Sequence, residues 1–379
     1  MFGNPLKVAL GNRVWTYNYT ILSNGSVSIA NRTNPDGGVD TYTFGAGNVT
    51  SFTNALNQKV AYQYTGQQNL GGRGRVWKIY PPENTNATQG PYSEYTYDLE
   101  GNLTETRTVA KSGSGLADIV TTAQFPTSCS NFKTCHKPVW IRDANNNQTD
   151  YTYDSTHGGV LTETGPAVSA GVRSQRRYTY TQLYPKILNA SGVLVNSTPV
   201  WRLTKTSSCR TATVANPASC VGTDQETVTE YEYGTNNLLM TKMTVRAGNA
   251  NVLVAASATN VWATTTYSYD DIGNRIMVDG PLPGAEDQTF TMYDVLRRPV
   301  YEIGGDADGG GALPRVTIHH LYDADGSEYR TETGTGYGTL LQSCSTTAAT
   351  CANYTVTSYT QRIYDPDTGL EVKSITAEP

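Results

Sequence analysis

The chain is short of what thick cores are made of: 6 Phe and 5 Met in 379 residues, with hydrophobic residues at only 37%. Large apolar side chains supply most of the stabilisation of a layered core, so this shortage argues against a thick sandwich. Charge is equally sparse, at 16%, and the net −5 comes from scattered groups. With no basic patch or stripe, nucleic acid is excluded as a partner. No apolar run approaches the ~18 residues that would span a bilayer, so this segment is not expected to insert into a membrane. The start, Met1-Phe2-Gly3-Asn4-Pro5, lacks the basic and apolar regions of a signal peptide. The chain is therefore read as a fragment of a larger protein whose export signal lies elsewhere. A Gly-rich phosphate loop, a G-x-S-x-G elbow and a zincin motif are all missing, so no cofactor is expected.

What is present is Thr, Asn, Ser, Gly and above all Tyr, with 26 copies. Tyr and Thr suit a pleated, half-buried surface, which points to an all-β fold. The composition fits one extended sheet, with Tyr rings lying flat and their hydroxyls reaching solvent. The six cysteines fall in three close pairs: Cys129 and Cys135, Cys209 and Cys220, Cys344 and Cys351. Each pair lies in a polar stretch between strand-like segments. Three local disulfides are expected, which favours an oxidising, exported setting. A metal reading takes Cys129, Cys135 and His136 as ligands, although zinc sites favour tighter spacers and four donors. Free thiols are the third alternative.

Internal repetition organises the rest. The segment Tyr95 to Arg107, YTYDLEGNLTETR, returns as YTYDSTHGGVLTETGP from Tyr151 and YSYDDIGNRIMVDGP from Tyr267. Further copies start at Met292, Leu321 and Ile363, and weaker ones around Tyr180 and Tyr233 lack the Asp. The defining residues are Tyr97, Asp98 and Gly101; Tyr153 and Asp154; Tyr269, Asp270 and Gly273; Tyr293 and Asp294; Tyr322, Asp323 and Gly326; Tyr364 and Asp365. In Tyr95-Thr96-Tyr97 the two rings share one face of a strand and Thr takes the other, by the two-residue period. Asp98 then opens a turn by accepting a backbone N–H ahead of it. Gly101-Asn102 tolerates the positive φ of a tight hairpin, and Leu103 onward returns as the second strand. Successive hairpins must pair edge to edge to cover their open ladders. The copies span residues 1–379 as one region, with loop insertions near 108–136, 205–224 and 340–352 that hold the cysteine pairs. Ala247 to Trp262 reads as strand, loop and strand.

These YDxxGN units, preceded by an alternating strand and a D-x-x-G/N-N element, resemble the YD repeats of RHS-repeat proteins. That family includes bacterial RHS and wall-associated proteins, cocoon subunits of insecticidal toxin complexes, and animal teneurins. The resemblance implies a long, curved antiparallel sheet, a segment of a spiral shell or filament. In family members with a toxic C-terminal segment, the shell encloses it and a core motif releases it. Asp365-Pro366-Asp367-Thr368-Gly369 is the nearest approach to that motif and reads as another repeat turn. Autoproteolysis is not carried over to any residue.

Other candidate sites have plainer readings. His319 and His320 point to opposite faces of one strand, and His320 takes the place of a repeat tyrosine. Asp306, Asp308, Asp323 and Asp325 lie in Gly-rich turns that lack the ligand spacing of an EF-hand. Glu105, Glu163 and Glu332 recur with the repeat, which marks frame rather than a glycosidase pair. The GGRGR run from Gly71 to Arg75 is read as a polar turn. The expected function is a non-catalytic structural or encapsulating segment of a secreted or cell-surface bacterial protein. Its partners are other segments of the same or a larger polypeptide, or further copies of itself. The alternative is a module that binds carbohydrate or another cell surface through exposed Tyr-rich strands. A polysaccharide-active enzyme is the third reading.

Overall fold

The computed structural model describes residues 5–10, 13–66, 74–82, 90–169, 172–213, 226–247, 261–310, 313–336, 344–345, 350–351, 354–365 and 370–379. Among them there is no helix. The strands form one long antiparallel sheet of 25 strands, plus two short two-stranded ladders. The chain divides into two compact units, Met1–Ser174 and Gln175–Pro379.

One hairpin of the first unit shows how the repeat folds. Strands Tyr92–Tyr97 and Leu103–Val109 pair with Tyr95 opposite Thr106 and Tyr97 opposite Leu103, and the register slips between Thr96 and Tyr97. The turn between them is looser than the tight turn expected from Gly101-Asn102. Asp98 N–H donates to the Asn102 carbonyl at 3.0 Å, and Gly101 N–H to the Asp98 carbonyl at 3.1 Å. Only Gly101 is left-handed, with φ 82°. This is a three-residue loop with a left-handed last residue and an adjoining bulge, which bends the strand where the tyrosine sits. The same slip falls immediately before Tyr153, Tyr269, Tyr293, Tyr322 and Tyr364. It also precedes Tyr64 and Tyr233, which lack the following Asp.

The carboxylate after the tyrosine fixes that turn. Asp98 Oδ1 accepts the Asn102 backbone N–H at 2.8 Å while Oδ2 accepts the Asn102 side chain at 2.9 Å. Asp270 repeats both bonds with Asn274 at 2.7 and 2.8 Å. Asp294 and Asp323 hold the backbone N–H four residues ahead at 2.9 Å each. The upstream D-x-x-N-N element uses the same geometry, with Asp143 accepting the Asn147 N–H at 2.8 Å.

Among the described residues of the first unit Tyr80 is the one buried aromatic, and its ring meets Tyr92 at 5.3 Å across two paired strands. The second unit holds the one buried apolar cluster found among the described residues: Phe290, Met292, Val300, Tyr301 and Ile303, with Met277 and Tyr354 packed against it. Arg315, 4% exposed, sits beside this cluster and donates to the carbonyls of Gln288 at 2.6 Å and Gly304 at 3.0 Å. A buried guanidinium needs such partners to offset its desolvation.

The stretches read as insertions are partly sheet. Ile119–Gln124, inside 108–136, pairs with Leu103–Val109 and with Trp140–Arg142. Val200–Thr213 covers the start of 205–224 and pairs with Glu226–Tyr233, while 214–225 lies outside the described residues. Within 340–352 only the ladder Cys344–Ser345 with Thr350–Cys351 is described. Met240–Ala247 and Val261–Tyr269 are strands, and the link at 248–260 lies outside the described residues.

Candidate functional site

The tyrosine-bearing edge of the hairpins gathers most of the repeat's chemistry. Its hydroxyls do not reach for solvent, as composition had suggested. Tyr97 donates to the Val76 carbonyl at 2.9 Å, Tyr153 to Pro138 at 2.9 Å, Tyr269 to Met240 at 2.7 Å and Tyr322 to Pro299 at 2.9 Å. Tyr64, Tyr233, Tyr293 and Tyr364 do the same with Val49, Leu203, Arg275 and Glu328. In every case a tyrosine at the end of one strand clasps a carbonyl near the start of an earlier strand. Phenylalanine has no donor for this bond, which accounts for Tyr rather than Phe at these positions.

A cation covers several of these rings. Arg75 lies 5.4 Å from the Tyr97 centroid, Lys137 5.4 Å from Tyr153, Arg202 5.8 Å from Tyr233 and Arg298 4.3 Å from Tyr322. Each cation immediately precedes the residue whose carbonyl accepts the hydroxyl. The pairs Arg75-Val76, Lys137-Pro138, Arg202-Leu203 and Arg298-Pro299 are therefore a second half of the repeat that sequence reading missed. Their signal is a single basic residue near a strand start, and it is too short to stand out alone. Cation and ring attract through the ring quadrupole. Burial raises the hydroxyls of Tyr97, Tyr233, Tyr269 and Tyr322 above the ordinary tyrosine range. Tyr153 is pushed up to about 12, mainly by burial, with Tyr151 and Glu163 adding to it.

These rings do not form an open aromatic groove. Tyr95, Tyr97, Tyr151 and Tyr153 are half-buried, whereas Thr96 and Thr152 between them are exposed. Tyr151 and Tyr153 stack within their own strand at 6.4 Å, as do Tyr17 and Tyr19 at 6.5 Å. Cross-strand ring pairs exist too, for example Tyr42 with Phe52 at 4.9 Å.

The turns are tied to one another. Asn102, the last residue of YDLEGN, is buried and its Oδ1 meets His136 Nδ1 at 2.7 Å. Asn274, in the equivalent place, accepts Arg297 Nε at 2.8 Å from the next turn. The loop with the first cysteine pair bridges two turns. His136 reaches back to Asn102, while Asn131 donates to the Ser155 carbonyl at 2.9 Å. Lys133 and Lys137 bond the carbonyls of Thr156 and Gly158.

Cys129 and Cys135 are disulfide-bonded, as expected. One donor atom from each of Cys129, Cys135 and His136 lies within 4.8 Å of the others. With both sulfurs in the bridge and His136 held by Asn102, the set is a loop clip and not an open donor cluster. Cys209 is buried and also disulfide-bonded. Cys220 lies outside the described residues. Cys344 and Cys351 face each other as backbone partners, and their side chains lie outside the description.

Three glutamates that look equivalent in sequence are not equivalent in register. Glu105 stands opposite Thr96, Glu163 opposite Tyr151, and Glu332 opposite His319. The turn from Asp154 to Gly159 is one residue longer than that from Asp98 to Asn102, and a one-residue change swaps faces. The recurring Glu is therefore not a repeated frame position.

A cluster of titratable side chains lies in the second unit. His319 Nδ1 is 3.1 Å from Glu332 on one face, and His320 Nδ1 is 2.7 Å from Glu328 on the other. Glu332 also binds Arg330 at 2.8 Å, and Glu328 binds Arg362. Asp306 sits 3.8 Å from the buried Arg315, while Asp308 Oδ2 accepts the Leu313 N–H at 2.8 Å. Asp323 Oδ1 accepts the Asp325 N–H at 3.0 Å, as in the other repeat turns.

Two solved structures share this fold. The crystal structure of TcdB2-TccC3-TEV aligns with a TM-score of 0.59 at 12% identity, over 99% of this chain and 17% of that one. The crystal structure of TcdB2-TccC3 gives 0.58 at 12% identity, over 99% and 17%. No family model and no curated protein matches the sequence. The chain thus spans 17% of the length of each of these solved chains and shares with them an all-β fold built on one long antiparallel sheet.

Proposed function

We propose that this chain is a wall segment of an RHS-type repeat protein, a non-catalytic scaffold that encloses or supports another part of a larger, exported polypeptide. The observation that carries this reading is the recurring clasp. The tyrosines, turn aspartates and neighbouring cations that look like site residues bond to the frame itself. Two further features support it: the YDxxGN resemblance to toxin-complex cocoon subunits, and the fold shared with the TcdB2-TccC3 structures. Its partners in this reading are further repeats of the same polypeptide. Half-buried rings with bonded hydroxyls count against the carbohydrate-binding alternative, because sugar stacking needs an accessible aromatic face. Electron cryo-microscopy of the natural full-length polypeptide tests the reading. The expected map shows this sheet lining an internal cavity that holds protein density. A solid fibre without a lumen, or turnover of a polysaccharide by the chain alone, contradicts it.

A further inference from the structure

We propose that the core of the second unit is an acid-labile joint triggered at His319, whose ring is caged by Tyr301 and Tyr354. His319 lies in strand Arg315–Tyr322, directly opposite Tyr301 on one neighbouring strand and Glu332 on the other. Its ring lies flat on Tyr301, with centroids 4.2 Å apart and planes 7° apart. Tyr354 stands edge-on to both rings at 5.9 Å. Room for Tyr354 exists because residue 334 is glycine; a Cβ there would lie 2.7 Å from the Tyr354 ring. Tyr301 in turn belongs to the buried cluster of Phe290, Met292, Val300 and Ile303. The imidazole thus bridges the apolar core to strands Glu328–Gly336 and Tyr354–Tyr364.

The charged groups that face it lie on strand Glu328–Gly336. Glu332 faces Nδ1 at 3.1 Å, and that carboxylate already holds Arg330 at 2.8 Å. His320, next in the chain, turns to the opposite face toward Glu328 and Glu302. Tyr301 and Tyr354 supply only neutral rings. Protonation therefore adds a second cation to one carboxylate and places charge inside an aromatic stack with little access to water. Burial lowers the proton affinity of His319, and this outweighs the opposing pull of Glu332. The unfolded chain then binds the proton more readily than the folded one. Stability from this site is full above the ordinary histidine value of about 6.5. It is lost as pH falls through the lower folded value.

The test is urea unfolding at closely spaced pH values between about 7.5 and 5.5, the histidine range, with amide exchange of Phe290 to Ile303 as a local readout. H319F keeps the ring stack without a titrating group, and H319Q keeps a polar neighbour for Glu332. The wild type is expected to lose up to about tenfold in folding equilibrium per pH unit, the limit for one proton. Both variants are expected to flatten that dependence, while H320Q keeps it. If H319F does not fold, H319Q decides the matter. A wild-type slope retained in H319Q, a slope abolished by H320Q alone, or a wild type that gains stability in acid overturns the proposal.

Discussion

Replacing Tyr153 by Phe removes one oxygen and leaves the ring, its stacking on Tyr151 at 6.4 Å and the Lys137 ammonium at 5.4 Å in place. What is lost is the 2.9 Å bond from the hydroxyl to the Pro138 carbonyl. A neutral hydrogen bond of this kind contributes about 1 kcal/mol net, within a range of about 0.5–1.5. Tyr151, two residues earlier on the same face, makes no such bond among the described residues and is therefore the internal control. Tyr151→Phe keeps the ring and loses no such bond, so it is expected to stay within about 0.5 kcal/mol of wild type, below the typical cost of a lost hydrogen bond. For a unit the size of Met1–Ser174, a change of 1 kcal/mol shifts the melting midpoint by about 2–4 °C. Urea unfolding followed by circular dichroism resolves both quantities. If the two Phe variants lose the same stability, or Tyr153→Phe loses none, the clasp is not what selects Tyr at the second position.

Three further expectations concern the same frame. Gly101→Ala should destabilise by more than 1 kcal/mol or so, since it combines φ 82° with a Cβ placed 2.5 Å from the Arg75 guanidinium. Gly25→Ala, at the same φ in open space, isolates the strain alone, and the difference between the two melts reads the crowding. At alkaline pH the raised tyrosine values favour the protonated fold, so stability is full below about 10 and is lost as pH climbs through the folded values. Tyr153 is pushed up to about 12, and burial raises Tyr354 further still. Tyrosinate absorbance in the native protein should therefore lag behind that of the urea-unfolded chain, and coincident curves count against it. Alkylation without reductant, read by intact mass, should leave Cys129, Cys135 and Cys209 unmodified. Modification of all six cysteines contradicts the disulfide account.

The repeat was legible because its two strongest signals are local. Alternating aromatics need only the two-residue period, and Asp98 or Asp270 finds its partners within four residues. The turn type was misjudged because Gly101-Asn102 fits several hairpins, and only the bulge before Tyr97 distinguishes them. What sequence could not carry is pairing across distance. The acceptor for Tyr97 lies 21 residues upstream, and that for Tyr364 lies 36 upstream. The separation varies with loop length, so no fixed motif spans it. Glu105, Glu163 and Glu332 misled because their distance from the turn tyrosine differs: one added turn residue swaps the face at Glu163, whereas Glu332 lies two places further along its strand than Glu105 after a turn of equal length. The bridge between Cys129 and Cys135 was readable from spacing, but the seat of its loop on the turns at Asn102 and Gly158 was not.

The tyrosine immediately before each repeat turn is a structural clasp and not a binding surface. Peptide-resolved nitration of the native protein by tetranitromethane addresses it directly, because the reagent needs an accessible phenol that ionises readily. Tyr97, Tyr153, Tyr269 and Tyr322 should remain largely unmodified under conditions that nitrate Tyr95. All should react once the chain is unfolded. Equal nitration of Tyr95 and Tyr97 in the folded protein contradicts the clasp and returns the tyrosine rows to the surface as candidates for ligand binding.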